Sequence, residues 1–308
     1  MSNPAISVRG LTRAFNAATV VDTLTFDVAP GELFGIVGPD GAGKTTTMRM
    51  LAGVLRPTAG DALLAGVSVA RDPERVKPFI AYVAQRYGLY EDLTVHENIL
   101  FYADLYRVPR RERAARLARL WRFSGLEPFR DRLVGNLSGG MKQKASLSCA
   151  LIHQPEILLL DEPTFGVDPI SRRDLWLILH EMAAGGMTIV ITTSYMDEAE
   201  RCDRVALLSD GRVLALGPPA RLQEEYPFRL LGVALRGNRR LSAGLARLPG
   251  VRACVPFGDA VHVTLEEPGA ESAVRRALHE AGVHTEDVRV IEPSLEDVFF
   301  ARVGPGDG

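Results

Sequence analysis

Between Leu33 and Leu51 the chain runs through five apolar residues, a glycine-rich octet and a helix-forming segment. The octet, Gly38-Pro39-Asp40-Gly41-Ala42-Gly43-Lys44-Thr45, follows the pattern G-x-x-x-x-G-K-[ST]. A strand, this turn and a helix in that order leave few folds open. Glycines let the backbone curl until several N–H groups face one anion, and the helix start adds the positive end of its dipole. Lys44 can reach the β- and γ-phosphates of a nucleoside triphosphate, the Thr45 hydroxyl can ligate Mg²⁺, and Thr46 beside it is a further nucleotide-binding candidate.

A second element fits the first. Ile157 to Leu160 is a short continuous apolar run followed by Asp161-Glu162. Such runs suit strands buried on both faces, and their carboxyl ends form the ligand-binding edge of an open α/β sheet. Asp161 is therefore placed to hold Mg²⁺ through water, and Glu162 to orient or deprotonate an attacking water. Residues 6–9 and 20–28 alternate as half-buried strands do, 44–55 continue the glycine-rich turn as a helix, and Thr188 to Thr193 is another buried strand. Residues 107–135, rich in Arg, Leu and Ala, form an all-helical insert within about 86–145. The expected core is α/β with a mostly parallel sheet over residues 1–225.

Near Gly217-Pro218-Pro219 the character changes. A short helix, Ala220 to Glu225, precedes strand 228–236, helix 241–247, strands 251–256 and 260–265, helix 270–281, strand 287–291 and a last helix from Ser294. That β-α-β-β-α-β order predicts a small α+β, ferredoxin-like domain over 226–308. Its acidic residues, Glu266, Glu267, Glu271, Glu286, Asp287, Glu292, Glu296 and Asp297, are expected to form a solvated face. A net charge of −2 argues against a general nucleic-acid partner. Cys149, Cys202 and Cys254 lack paired or metal-type spacing and are expected as buried reduced thiols. No apolar run nears the ~20 residues of a membrane span, so a cytoplasmic chain is expected.

Leu137-Ser138-Gly139-Gly140-Met141, ahead of the Asp-Glu pair, completes a set that resembles the nucleotide-binding domain of ABC transporters, a P-loop NTPase class. The resemblance covers most of residues 5–222. Gln85 in YVAQRYGLY resembles the Q-loop glutamine, Phe15 stands where the family stacks an aromatic on adenine, and Phe165-Gly166-Val167-Asp168 resembles the D-loop. GLYEDLTVHENILFYADLY and PSLEDVFF are similar to the ABC-2 type export branch for drugs, lipids or polysaccharides, as is the tail after about 226. The resemblance implies ATP and Mg²⁺ as ligands, with Thr45, Gln85 and Asp161 about the metal and Lys44, Glu162, Gln85 and position 194 in hydrolysis. It also implies a second ATP-binding subunit paired head to tail, with Ser138, Gly139 and Gly140 of one chain closing the other's site. An ABC-2 type membrane permease would then hold the chain on the cytoplasmic face of the membrane, with Tyr87 to Leu93 facing that subunit.

Two positions depart from the family. Asp40 replaces the commoner Asn. Ser194 stands where the family has its switch histidine, which bonds the γ-phosphate and helps hold the catalytic glutamate. Serine is shorter, with one donor proton. Its neighbour Tyr195 is a poor substitute if it faces the core, and His96, His153, His180, His262, His279 and His284 lie elsewhere, with His153 expected as a packing or surface residue. ATP binding is expected to survive and hydrolysis in the chain's own site to be slow. Two other readings are an ATP-driven shape switch without useful turnover, which Glu162 argues against, and a soluble ABC ATPase acting on ribosomes or DNA. The second usually needs linked ATPase domains or a coiled-coil or zinc insertion, none of which the sequence carries.

Overall fold

A computed structural model describes residues 3–16, 18–86, 88–234, 239–258, 260–267, 269–283 and 288–303. It divides into two compact units, 1–216 and 217–308. In the first, β1 (Ile6–Phe15), β2 (Ala18–Val28), β3 (Leu33–Val37), α1 (Lys44–Leu51), β4 (Ala59–Leu64), β5 (Val67–Ser68), α2 (Pro73–Val76) and β6 (Ile80–Val83) precede the helical segment. That segment holds α3 (Val95–Leu105), α4 (Arg110–Ser124) and α5 (Gly139–Leu151). The remainder is β7 (Ile157–Asp161), α6 (Pro169–Ala184), β8 (Thr188–Thr193), α7 (Met196–Ala199), β9 (Arg204–Ser209) and β10 (Arg212–Gly217).

The six-stranded sheet has the order β10-β9-β3-β8-β7-β6. Its pairs β3/β8, β3/β9, β6/β7 and β7/β8 are parallel, and every residue of β3, β7 and β8 is buried. This explains the uninterrupted apolar runs, since both faces are covered. A second sheet, β2-β1-β4-β5, contains antiparallel pairs throughout and was only half visible in the sequence. Its alternation was clear in 6–9 and 20–28. Strands β4 and β5 are short and interrupted by Gly60 and the Ala65-Gly66 turn, so they carry no strong period. The two sheets share one core, in which Phe26 and Phe34 stack at 5.1 Å and Met48, Met50 and Leu51 of α1 are buried with them.

The helical segment is less continuous than its composition suggests. Helix α4 stops at Gly125, which caps it with φ +66°, and 3₁₀ turns at Glu127–Phe129 and Val134–Asn136 replace helix across the rest of 107–135. Helix α3 starts in a capping box, with the Thr94 side chain on the Glu97 N–H and the Glu97 side chain on the Thr94 N–H. His153 is part-buried, stacked on Tyr106 at 3.9 Å and bonded through Nε2 to the Ile80 carbonyl; burial holds its pKa below the usual range. It is a packing residue.

The second unit begins with α8 (Pro219–Glu224), which packs on the last helix of the chain and so belongs with this unit, ahead of the boundary expected at 225/226. Then come β11 (Arg229–Ala234), α9 (Arg239–Leu245), β12 (Val251–Phe257), β13 (Ala260–Leu265), α10 (Ala270–Glu280), β14 (Val288–Val290) and α11 (Leu295–Val303). The sheet order β12-β13-β11-β14 with antiparallel pairing matches the β-α-β-β-α-β reading. Its core is built from Leu231, Val233, Leu245, Val263, Val274 and Leu278.

The acidic face is exposed at Glu266, Glu267 and Glu292, half-buried at Glu296 and corrected at Asp297. Asp297 is buried, because its carboxylate serves two structural ends at once. It faces His262 Nδ1 at 2.9 Å and accepts from the Ser294 N–H at 2.9 Å and the Ser294 hydroxyl at 2.6 Å. Glu271 is half-buried between Arg229 and Arg275; Glu286, Asp287 and His284 lie outside the described residues. Cys149 and Cys202 are buried, whereas Cys254 is only half-buried. Burial pushes the thiol pKa of all three upward. Asp297→Ala should cost the second unit about 2–4 kcal/mol, a lost cap plus an orphaned buried imidazole. Amide exchange should accelerate across Leu295–Val303 and leave β3, β7 and β8 unchanged.

Candidate functional site

The site lies where the strands of the six-stranded sheet end. Register pairs Val37 with Thr193 and Asp161 with Thr192, so three chain segments distant in sequence finish side by side. The octet follows β3, the Asp161-Glu162 pair closes β7, and Ser194 follows β8. This is the carboxyl edge of the sheet, the ligand-binding edge of open α/β folds.

Lys44, the first residue of α1, is 4% exposed. Its ammonium donates to the carbonyls of Gly38 (2.8 Å) and Pro39 (3.0 Å) and to Ser194 Oγ (2.8 Å), and lies 3.0 Å from Glu162 Oε1. Glycine is required at two points of the loop. A Cβ on Gly38 would fall 2.2 Å from the Leu208 carbonyl oxygen. Gly43 caps α1 with φ +96°, and a Cβ there would lie 2.8 Å from the Val20 oxygen. Ala42 is buried and donates its N–H to the Pro39 carbonyl, while Gly41, Pro39 and Asp40 are exposed and Thr46 is half-buried in the first turn of α1. The Asp40 side chain is 95% exposed; its Oδ1 lies 3.9 Å from Lys44 and accepts from Ser194 Oγ at 3.2 Å.

Asp161 is 1% exposed and fully engaged. Its Oδ1 accepts from Thr45 Oγ1 (3.0 Å) and Thr192 Oγ1 (2.8 Å), and its Oδ2 from the Tyr82 hydroxyl (3.2 Å). Burial, and then the Asp161 charge, push the Tyr82 pKa up to about 12, so the phenol remains a donor. Glu162 has φ +47°, left-handed backbone that costs a glutamate on the order of 1 kcal/mol. Its N–H is held by Thr192 Oγ1 at 2.9 Å. Its two oxygens face Ser194 Oγ (3.1 Å) and Gln85 Nε2 (3.3 Å). The expected residues Lys44, Gln85, Glu162 and Ser194 thus form one network, and Thr192 joins it to the Asp161–Thr45 pair. Sequence reading missed Thr192 and Tyr82, since a threonine inside a β-branched strand and a tyrosine on β6 carry no distinctive pattern.

The remaining residues stand apart from this network. Phe15 ends β1 with its ring 42% exposed and the Arg13 guanidinium 4.4 Å from its centroid. Ser138 caps α5, accepting the Met141 N–H at 3.3 Å, which leaves the serine proton free to donate. Gly139 opens that helix, and Gly140 meets α6 so closely that a Cβ would lie 2.2 Å from Ser171 Oγ. Asp168 caps α6 through the Ile170 and Ser171 N–H groups. Tyr195 does not face the core; the residue is 39% exposed and its ring centroid lies 4.5 Å from the Arg172 guanidinium.

A parallel sheet, a glycine loop on a helix start and a carboxylate pair at the adjacent strand end define a nucleotide-binding protein of the P-loop class. The ABC transporter family model matches residues 21–165. The chain is 41% identical over 308 residues to the probable multidrug ABC transporter ATP-binding protein YbhF of Escherichia coli K12, covering 99% of this chain but 53% of that protein. It therefore spans about half the length of that relative. It is 38% identical to the Nod factor export ATP-binding protein I of Rhizobium sp. strain N33, covering 99% of this chain and 98% of that protein. A solved ATP-binding subunit of an ABC transporter superposes with TM-score 0.66 at 32% identity, covering 72% of this chain and 93% of that one. The chain belongs to the ABC transporter ATP-binding family.

Gly38→Ala should displace the end of β9 and lower stability by about 1–3 kcal/mol. Gly41→Ala has open space around its Cβ and costs only the strain of φ +85°, on the order of 1 kcal/mol. Thermal unfolding of the two variants against wild type checks the order.

Proposed function

We propose that the chain binds and hydrolyses ATP to energise a membrane export complex, through ATP-driven pairing of two such domains. The observation that carries this reading is the network of Lys44, Ser194, Glu162 and Gln85 at one strand edge, joined through Thr192 to the Asp161–Thr45 pair. In this reading backbone N–H groups of the loop between Gly38 and Thr46 and the Lys44 ammonium hold the phosphates, and Phe15 stacks on the adenine. Glu162 accepts a proton from the water whose oxygen attacks the γ-phosphorus, while the bond to the bridging oxygen breaks toward ADP. Gln85 and Ser194 aim the two Glu162 oxygens.

Mg²⁺ fits the donor set. Thr45 and Asp161 offer only oxygen and stand 3.0 Å apart, with Gln85 as a third candidate. No cluster of three His, Cys, Asp or Glu occurs among the described residues, as suits an ion held largely by phosphates and water. Its contribution would be to neutralise charge on the phosphates.

Pairing with a second ATP-binding subunit would bring Ser138, Gly139 and Gly140 of each chain to the other's γ-phosphate, so that ATP joins the two and hydrolysis releases them. The export role draws on relatives whose names specify multidrug transport and Nod factor export. No helix among the described residues is long and apolar enough to cross a membrane. An ABC-2 type permease partner at the cytoplasmic face is supported by an exposed aromatic group, in which Tyr90 (47% exposed) meets Phe101 edge-on at 4.7 Å, with Leu89 and Leu93 half-buried beside it. Tyr87 lies outside the described residues.

Ser194 sets the rate in this reading. Its single proton is shared between Glu162 and Asp40, at 3.1 and 3.2 Å, while its lone pair takes the Lys44 ammonium. That leaves no donor for the γ-phosphate, whereas an imidazolium offers two. Own-site hydrolysis is then slow, and the working assembly pairs this chain with an unlike, histidine-bearing ATPase. Lys44→Ala should weaken ATP binding roughly 10- to 100-fold by calorimetry. Ser194→His should raise own-site turnover by up to about 10²-fold when the chain is assayed with its permease and no other ATPase. Brisk cooperative hydrolysis by that homodimer, unchanged in Ser194→Ala, would overturn the slow-site reading.

A further inference from the structure

One buried carboxylate lies outside the network above. Glu198, in the short helix α7, has no exposed surface. Its Oε2 accepts from two hydroxyls, Thr164 at 2.9 Å and Thr193 at 2.8 Å. Its Oε1 faces Arg172 Nε at ion-pair distance, 3.4 Å, without hydrogen-bond geometry. A fully buried carboxylate is costly unless its partners are held in place. Each partner is attached to something functional. Thr193 and Tyr195 flank Ser194, and the Thr193 hydroxyl that donates to Glu198 also accepts the Tyr195 N–H at 3.0 Å. Thr164 follows Glu162 by two residues in a tight turn closed by the Phe165 N–H on the Glu162 carbonyl. Arg172 lies on α6, next to Ser171, which meets Gly140 of the Leu137–Met141 motif. A core acid serving the fold alone has no need to face three segments of one reaction site.

We infer that Glu198 is a positioning residue for hydrolysis. It fastens the backbone on both sides of Ser194 to the turn that carries Glu162, and so sets the 3.1 Å contact between Ser194 Oγ and Glu162 Oε1. Thr192 holds the Glu162 N–H, and Glu198 holds Thr164 and Thr193 on either side. The strained Glu162 backbone then has two supports independent of the ligand. The inference rests on the ATPase reading. Glu198 touches neither the phosphate loop nor Lys44, so its loss acts on the rate and not on binding.

The test is a double-mutant cycle on the full chain with its permease, with each rate expressed per folded molecule. Glu198→Ala should lower kcat roughly tenfold to a hundredfold, since small misplacements of an attacking geometry carry that cost, with ATP affinity changed less than about threefold. Glu198→Gln keeps one oxygen acceptor and should recover most of the rate. Ser194→Ala added to Glu198→Ala should cost little more, because both act through one contact. If Glu198→Ala does not fold, Thr193→Val removes the hydroxyl between Glu198 and the Ser194 loop, and the same non-additivity with Ser194→Ala is expected. An unchanged kcat, a loss of rate and affinity together, or two losses that multiply would overturn the inference. A wild type with no ATP turnover would overturn the ATPase reading with it, whereas turnover with multiplying losses removes Glu198 alone.

Discussion

The buried ammonium of Lys44 is the constraint on which the rest depends. A cation with 4% exposure is tolerable only if oxygens replace its water. Two of those oxygens are carbonyls of its own loop, which forces the tight curl of residues 38–44 and therefore the glycines. The others come from Ser194 and Glu162, which forces the ends of β8 and β7 to lie beside that of β3. An ammonium has three protons, and four oxygens surround it, so the contacts are shared and none is saturated.

The two carboxylates of the Asp-Glu pair differ in freedom because of where β7 ends. Asp161 is the last strand residue and receives three hydroxyl donors, which fix it completely. Glu162 has left the strand and turns back through a left-handed backbone; it meets side chains from three segments, Lys44, Gln85 and Ser194. One acid is therefore a rigid anchor and the other an aimed group, although they are neighbours in sequence. Ser194 fits this scheme as a short link between cation and carboxylate.

The second unit obeys the same rule on a smaller scale. Its sheet order follows from alternation and turn positions, but its buried polar joint does not. Asp297 sits in the first turn of α11, where an acidic residue reads as an exposed cap, and only the approach of His262 from β13 makes it a buried pair.

The sequence by itself determined the α/β class, the phosphate loop and its flanking strand and helix, the carboxylate pair and the element order of the second unit. These depend on local periods and on spacing along one segment, which a chain displays without folding. The sheet pairing β2-β1-β4-β5, the burial of Asp297, and the roles of Thr192, Tyr82 and Glu198 were decided only by tertiary structure. Each joins residues from separate segments, and a hydroxyl or carboxylate has the same letter whether it faces water or a partner. Ser194 shows the division most plainly. Its position after a buried strand is legible in the sequence, but its contacts at 2.8 Å with Lys44 and 3.1 Å with Glu162 exist only because β3, β7 and β8 end in register.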